Sequence, residues 1–125
     1  MPRTVLVVED EPDNRLLIRM ILQGDGYEVL EAEDGAAGIA MMRAHMPDLV
    51  LLDVMMPGLN GFEVHERVSA DPELRAIPVV MLTALAQQTD VERAVARGVQ
   101  GYVTKPFEPD ELLKAVQDHI HDRAE

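Results

Sequence analysis

Five residues of this chain could do chemistry together: Glu9, Asp10, Asp53, Thr83 and Lys105. Each stands at the end of an apolar run. Val5-Leu6-Val7-Val8 leads into Glu9-Asp10-Glu11, and Leu49-Val50-Leu51-Leu52 stops at Asp53. Val79-Val80-Met81-Leu82 reaches Thr83, and Tyr102-Val103-Thr104 ends at Lys105-Pro106-Phe107. The run before Asp53 reads as a short strand buried on both faces, as in a parallel sheet. A carboxylate at the end of such a strand costs free energy unless something there uses its charge.

With all the strands running in one direction, these side chains emerge along one edge of the sheet, where open α/β folds collect ligands. Taken singly, each has a plain structural explanation. Glu9 or Asp10 could cap a helix, Asp53 could be a satisfied turn acid, Thr83 a β-former and Lys105 a solvated charge. Their shared position at four strand ends argues for a common task. Three neighbouring carboxylates raise one another's proton affinity unless a cation intervenes. Mg2+ suits them, because it takes oxygen ligands, keeps several waters and accepts few protein groups. Lys105 brings a point charge for a phosphoryl oxygen, and the Thr83 hydroxyl can donate to another. Aspartate can accept a phosphoryl group. The set points to phosphoryl transfer onto Asp53, with catalysis mainly by positioning and charge.

The positioning elements alternate along the chain. Thr4–Val8 reads as the first strand; Pro12 suits a first helical position, and Leu16, Leu17, Met20 and Ile21 follow helical spacing until Gly24 and Gly26. Glu28–Ala32 is a second strand with polar ends, as at a sheet edge. Asp34-Gly35 opens a helix through Ile39, Met41 and Met42 that Pro47 closes. After the third strand, Pro57-Gly58 and Asn60 break the backbone before a helix over about Phe62–Val68. Pro78–Leu82 is the fourth strand, Asp90–Arg97 is helical with Gly98 as its stop, and Gly101–Thr104 is the fifth strand. Pro109 starts a last helix with an apolar stripe of Leu112, Leu113, Val116 and Ile120. Five strand–helix alternations predict an α/β fold: a doubly wound (βα)5 unit with a parallel sheet and helices on both faces.

Composition narrows the function classes. The 125 residues suffice for one domain, and residues 1–125 are expected to form it alone. A net charge of −12 argues against direct nucleic-acid binding and against an anionic membrane surface. Cysteine is absent, which removes disulfides, thiolate metal sites and a Cys nucleophile, and fits a cytoplasmic protein. No apolar run reaches the length of a membrane span. The four histidines, His45, His65, His119 and His121, show no ligand spacing and are expected on the solvated surface. Met41-Met42 and Met55-Met56 are expected to fill gaps in the core.

Four segments, in order and correctly spaced, resemble the response-regulator receiver domain of two-component systems. They are Val7-Val8-Glu9-Asp10-Glu11, Leu51-Leu52-Asp53-Val54-Met55-Met56-Pro57-Gly58, Met81-Leu82-Thr83-Ala84 and Tyr102-Val103-Thr104-Lys105-Pro106-Phe107. The resemblance, which covers nearly the whole chain, implies a flavodoxin-like sheet of order 2-1-3-4-5. It implies that Asp53 takes a phosphoryl group from a histidine kinase or a histidine phosphotransfer protein. Asp10, Asp53 and the backbone carbonyl of Met55 would then ligate Mg2+, with Glu9 acting largely through water. Lys105 would pair with the phosphoryl group, Thr83 would move toward it, and Tyr102 would turn inward. The signal would leave to a downstream protein through the face of the fourth helix, fifth strand and fifth helix. Gln100-Gly101 stand where receivers that dimerise through that face often carry acids. The same resemblance implies a cis Lys105–Pro106 bond, and slow autodephosphorylation because Met55 and Leu85 flank the path of the attacking water.

Two other functions compete. A Mg-dependent phosphohydrolase with an aspartyl nucleophile would resemble a pattern bearing a second Asp two residues on, where this chain has Met55. A phosphorylation-independent binding module would need no competent pocket, whereas all five positions here are chemically competent. The protein is therefore read as a regulatory phosphoacceptor and not as an enzyme acting on a separate substrate.

Overall fold

A computed structural model describes residues 2–84 and 98–120 of the chain. The helix expected over Asp90–Arg97, Leu85 and His121 lie outside the described residues. Five strands form one parallel sheet: β1 (Thr4–Val8), β2 (Glu28–Ala32), β3 (Leu49–Asp53), β4 (Val79–Ala84) and β5 (Gly101–Lys105), in the order β2-β1-β3-β4-β5. The described helices are α1 (Pro12–Gly24), α2 (Gly35–His45), α3 (Gly61–Ser69) and α4 (Pro109–His119). The parallel doubly wound sheet is what the strand–helix alternation predicts, and its order is the one the resemblance implies.

Alternation along the central strands builds two cores, one on each face of the sheet. Leu6, Val8, Val50, Leu52 and Met81 face α2 and α3, where they meet Met42, Phe62, Val64 and Val68. Val5, Val7, Leu49, Leu51, Val80 and Leu82 face the opposite way, toward Ile18 and Leu22 of α1 and Leu112 and Val116 of α4. Full burial of each such side chain stabilises the fold by about 1.5–3 kcal/mol. β2 carries a mixed, half-exposed pattern and lies at an edge, as its polar ends predict.

Helix ends are set locally. The Asp34 side chain accepts from the Ala37 amide at 2.8 Å and caps α2. Asn60 and Glu63 form a reciprocal capping box at the start of α3. Pro occupies the first turn of both α1 and α4.

Two side-chain expectations are corrected, for a histidine pair and a methionine, and one helix face that the spacing left open is fixed. The face of α1 that packs on the sheet is Ile18 and Leu22, while Leu16, Leu17 and Met20 are exposed. The run 16–22 is apolar at six of seven positions, so spacing alone allowed either face; contact with β1 and β3 selects one. His65 is buried and its Nε2 lies 3.4 Å from Ser69 Oγ, and His119 is half-buried against Gly101. His65 stands three residues after Phe62 and three before Val68, on the inward stripe of α3. Among the paired methionines, Met42 and Met56 are core residues, but Met55 is 64% exposed because it follows the strand end into an open loop.

Candidate functional site

Register brings the predicted residues together. Val8 pairs with Leu52, so Glu9 and Asp53 leave neighbouring strands at the same level. Asp53 pairs with Leu82, and the next two residues of β4, Thr83 and Ala84, pair with Thr104 and Lys105. Four strand ends thus deliver Glu9, Asp10, Asp53, Thr83 and Lys105 to one rim. A cis peptide bond joins Lys105 and Pro106, as the resemblance implied.

Lys105 Nζ lies 3.1 Å from Glu9 Oε1 and 3.3 Å from Asp53 Oδ2, bridging the two acids. Asp53 Oδ1 also accepts from the Met55 amide at 3.2 Å. Glu9 is fully buried, Asp53 and Thr83 nearly so, and Asp10 is half-buried. Burial, followed by the hydrogen bond shared with Glu9, pushes the Asp53 carboxyl up to about 7 despite the nearby Lys105 ammonium. Burial also pushes Glu9 upward, but its bond with Asp53, the charge and donation of Lys105 and the Asn14 amide together hold it below its ordinary value. Lys105 is lowered by burial yet ends raised, because Asp53 and Glu9 both stabilise its charge. Without a cation, Asp53 is therefore only partly ionised near neutral pH.

One carboxylate oxygen from each of Glu9, Asp10 and Asp53 lies within 4.8 Å of the others. Glu9 Oε2 is buried and has no hydrogen-bond partner among the described residues. Hard oxygen donors with one acceptor left over fit a divalent ion such as Mg2+. Thr83 Oγ1 is likewise buried without a partner among the described residues, facing the same rim. Tyr102 is 44% exposed on β5, with its ring partly outside the fold.

Two contributors had no reading from the sequence. Gly61 lets the start of α3 approach the strand end, since a Cβ there would stand 2.6 Å from the Asp53 carbonyl oxygen. Asn14 of α1 donates from Nδ2 to Glu9 Oε1 at 3.0 Å. The Gly61 signal was its place beside the Asn60 cap. Asn14 left no signal, because whether it reaches Glu9 depends on how α1 leaves the sheet.

Comparison with known proteins places this geometry. Residues 5–117 match the response regulator receiver domain. The chain is 39% identical over 112 residues to protein PilH of Pseudomonas aeruginosa, covering 90% of this chain and 93% of PilH. It superposes on the chemotaxis response regulator CheY4 of Vibrio cholerae with a TM-score of 0.87 and 33% identity, covering 94% of this chain and 98% of that one. The receiver domain of a Pseudomonas aeruginosa sensor histidine kinase, solved with a magnesium ion coordinated in its active site cleft, gives a TM-score of 0.86 and 31% identity over 94% of this chain and 97% of that one. No helix among the described residues is long and apolar enough to cross a membrane. A five-stranded sheet of this order, with its acids and a lysine at the carboxyl rim and a family match over most of its length, makes the chain a receiver domain of the two-component response regulators.

Proposed function

We propose that Asp53 accepts a phosphoryl group from a histidine kinase or a histidine phosphotransfer protein, and that residues 1–125 act in this as one receiver domain. The observation that carries the proposal is the pair of neighbours around a buried Asp53. Asp53 belongs to an acid cluster competent for a cation, and the Lys105 ammonium lies 3.3 Å from its carboxylate. In the transfer, an Asp53 carboxylate oxygen forms a bond to phosphorus as the N–P bond of the phosphohistidine breaks. The electron pair returns to the imidazole nitrogen, which takes up a proton. Lys105 neutralises charge on the incoming phosphoryl oxygens, and Asp53 attacks from its ionised form, which its raised pKa makes less populated near neutral pH.

Asp10, Asp53 and the Met55 carbonyl would hold Mg2+, with Glu9 acting largely through water, and the ion would supply further charge neutralisation at the phosphoryl group. The magnesium ion in the kinase receiver named above supports this choice of metal. Once Asp53 is phosphorylated, the Thr83 hydroxyl, without a partner among the described residues, gains an acceptor, and Tyr102 turns inward as Thr83 moves. The changed surface, formed by β5, α4 and the helix expected over Asp90–Arg97, passes the signal to a downstream protein. Loss of the phosphoryl group requires an in-line water. Met55, exposed and apolar beside Asp53, offers it no hydrogen bond, and Leu85 is assigned the same role. Hydrolysis is therefore slow.

Incubation with acetyl phosphate and Mg2+ tests the proposal. The wild type should gain one phosphoryl mass and lose it slowly after the donor is removed, and Asp53→Asn should gain none. Labelling of Asp53→Asn at the wild-type level overturns the assignment. Met55→Asn should shorten the lifetime of the phosphorylated state several-fold; an unchanged lifetime removes Met55 from its control.

A further inference from the structure

Two consecutive residues of α1 hold Glu9 at its two ends. Arg15 Nη1 donates to the Glu9 backbone carbonyl at 2.8 Å, while Asn14 Nδ2 donates to the side-chain Oε1 at 3.0 Å. Arg15 is itself fixed by Glu31 of β2 at 3.3 Å, and Arg19 binds the other oxygen of that carboxylate at 2.8 Å. Glu9 Oε1 therefore receives two donors, Asn14 and Lys105, while Oε2 stays buried and unpartnered among the described residues. Only one of those donors is free of other duties. Lys105 also faces Asp53 at 3.3 Å and is the group placed to turn toward a phosphoryl oxygen.

We propose that Asn14 is a positioning residue of the acidic site, whose amide fixes Glu9 Oε1 so that Oε2 remains aimed at the cation, including when Lys105 engages the phosphoryl group. This rests on the acid cluster being a cation site. The chemistry favours an amide here. Glu has one more rotatable bond than Asp, so a free Glu9 would lose more rotamer freedom on engaging the ion; a bond already in place removes that loss. A cationic donor in the same place would orient Glu9 too, but it would cancel the negative charge that attracts the metal. Asn supplies direction without charge. Partners outside the ligand shell commonly change metal affinity by about 10- to 100-fold when removed. The single bond of a half-buried Asn14 belongs at the low end of that range.

The test is a Mg2+ titration of the unphosphorylated protein, followed through backbone amide NMR shifts around Asp10 and Asp53. Wild type, Asn14→Leu, Glu9→Ala and the double variant are compared, with a melting curve of each in chelator to establish folding. Asn14→Leu should bind Mg2+ about 10-fold more weakly than wild type. In the Glu9→Ala background the same change should have no further effect, because Asn14 acts through Glu9. Equal affinities of wild type and Asn14→Leu, or an equal loss in both backgrounds, overturns the role. If Asn14→Leu does not fold, Asn14→Ala serves under the same criteria. The underlying cation site fails separately: wild type would then show no saturable shift at Asp10 or Asp53.

Discussion

Glu9 and Asp53 are gripped from several directions, whereas Thr83 at the same rim and Tyr102, farther back along the neighbouring strand, are scarcely held. Glu9 receives Lys105, Asn14 and, at its carbonyl, Arg15, and Asp53 receives Lys105 and the Met55 amide. The Thr83 hydroxyl has no partner among the described residues, and Tyr102 is half in solvent. Under the proposed phosphoryl transfer the acids would meet developing charge in a fixed geometry, and any reorganisation would add to the barrier. Under the proposed function the neighbouring strands would instead respond, which requires a group whose best partner is absent before phosphorylation. A buried hydroxyl without a partner costs about 1–3 kcal/mol, a sum on the scale at which a new acceptor can shift a two-state population.

The comparison breaks most readily at Asp53, where being held carries a cost. An acid raised to about 7 in the fold keeps its proton when the unfolded chain has already released it. Between about pH 4 and pH 7 the folded state binds more protons, so stability falls as pH rises, and the deficit is complete above pH 7. In metal-free buffer at pH 8, Asp53→Asn should be more stable than wild type by about 2–4 kcal/mol, and near pH 4 by almost nothing. Urea unfolding at the two pH values measures this. A difference that does not depend on pH would mean that Asp53 is not carrying the strain of the buried pair.

Lys105 gives a smaller effect of opposite sign. It is the ammonium that bridges Glu9 and Asp53, and its side chain is 25% exposed, so solvent screens part of the interaction. Lys105→Met at pH 8 in chelator should lose about 1–3 kcal/mol, because two buried acids then face each other without a cation. Saturating Mg2+ should restore part of the loss, since the ion neutralises the same charges. Unfolding curves with and without the metal decide it. A deficit that Mg2+ leaves untouched would show that Lys105 supports the fold by packing and not by charge.

What could be read from the chain follows the same division. Asp53, Thr83 and Lys105 were legible because each ends an apolar run, and parallel strands must deliver such residues to one rim. The edge position of β2 was legible from the acids at Glu28 and Glu31. The grip on the acids was not. Asn14 meets Glu9 only because α1 leaves the sheet at one particular angle, and Gly61 matters only because α3 starts against the Asp53 carbonyl. The burial of His65 is legible from its place on the same helical stripe as Phe62 and Val68, although its polarity alone points to the surface. The inward face of α1 had no unique answer, because nearly every residue of 16–22 is apolar. Motif chemistry is written in order along the chain, whereas the contacts that hold it are written in the angles between elements.

Thr83→Val, the smallest change in stability, separates the two halves of the site most sharply. Val matches Thr in shape and replaces the hydroxyl by a methyl group. Where a buried hydroxyl is bonded, that exchange destabilises; where it has no partner, the methyl is neutral or gains up to about 1 kcal/mol. Thr83 is 1% exposed and its Oγ1 is unpartnered among the described residues, so Thr83→Val should be at least as stable as wild type. Phosphorylation should also survive, because Lys105 and the acids are untouched and the gain of one phosphoryl mass does not depend on the switch. What should disappear is the response. Ring NMR signals of Tyr102 can be followed beside those of Tyr27, which is buried between α1 and the sheet and serves as an internal reference. In wild type, acetyl phosphate and Mg2+ should move the Tyr102 signals; in Thr83→Val they should stay in place while the mass still rises. A loss of stability would reveal a partner for the hydroxyl. A Tyr102 shift that persists without it would show that the ring follows the phosphoryl group by another route.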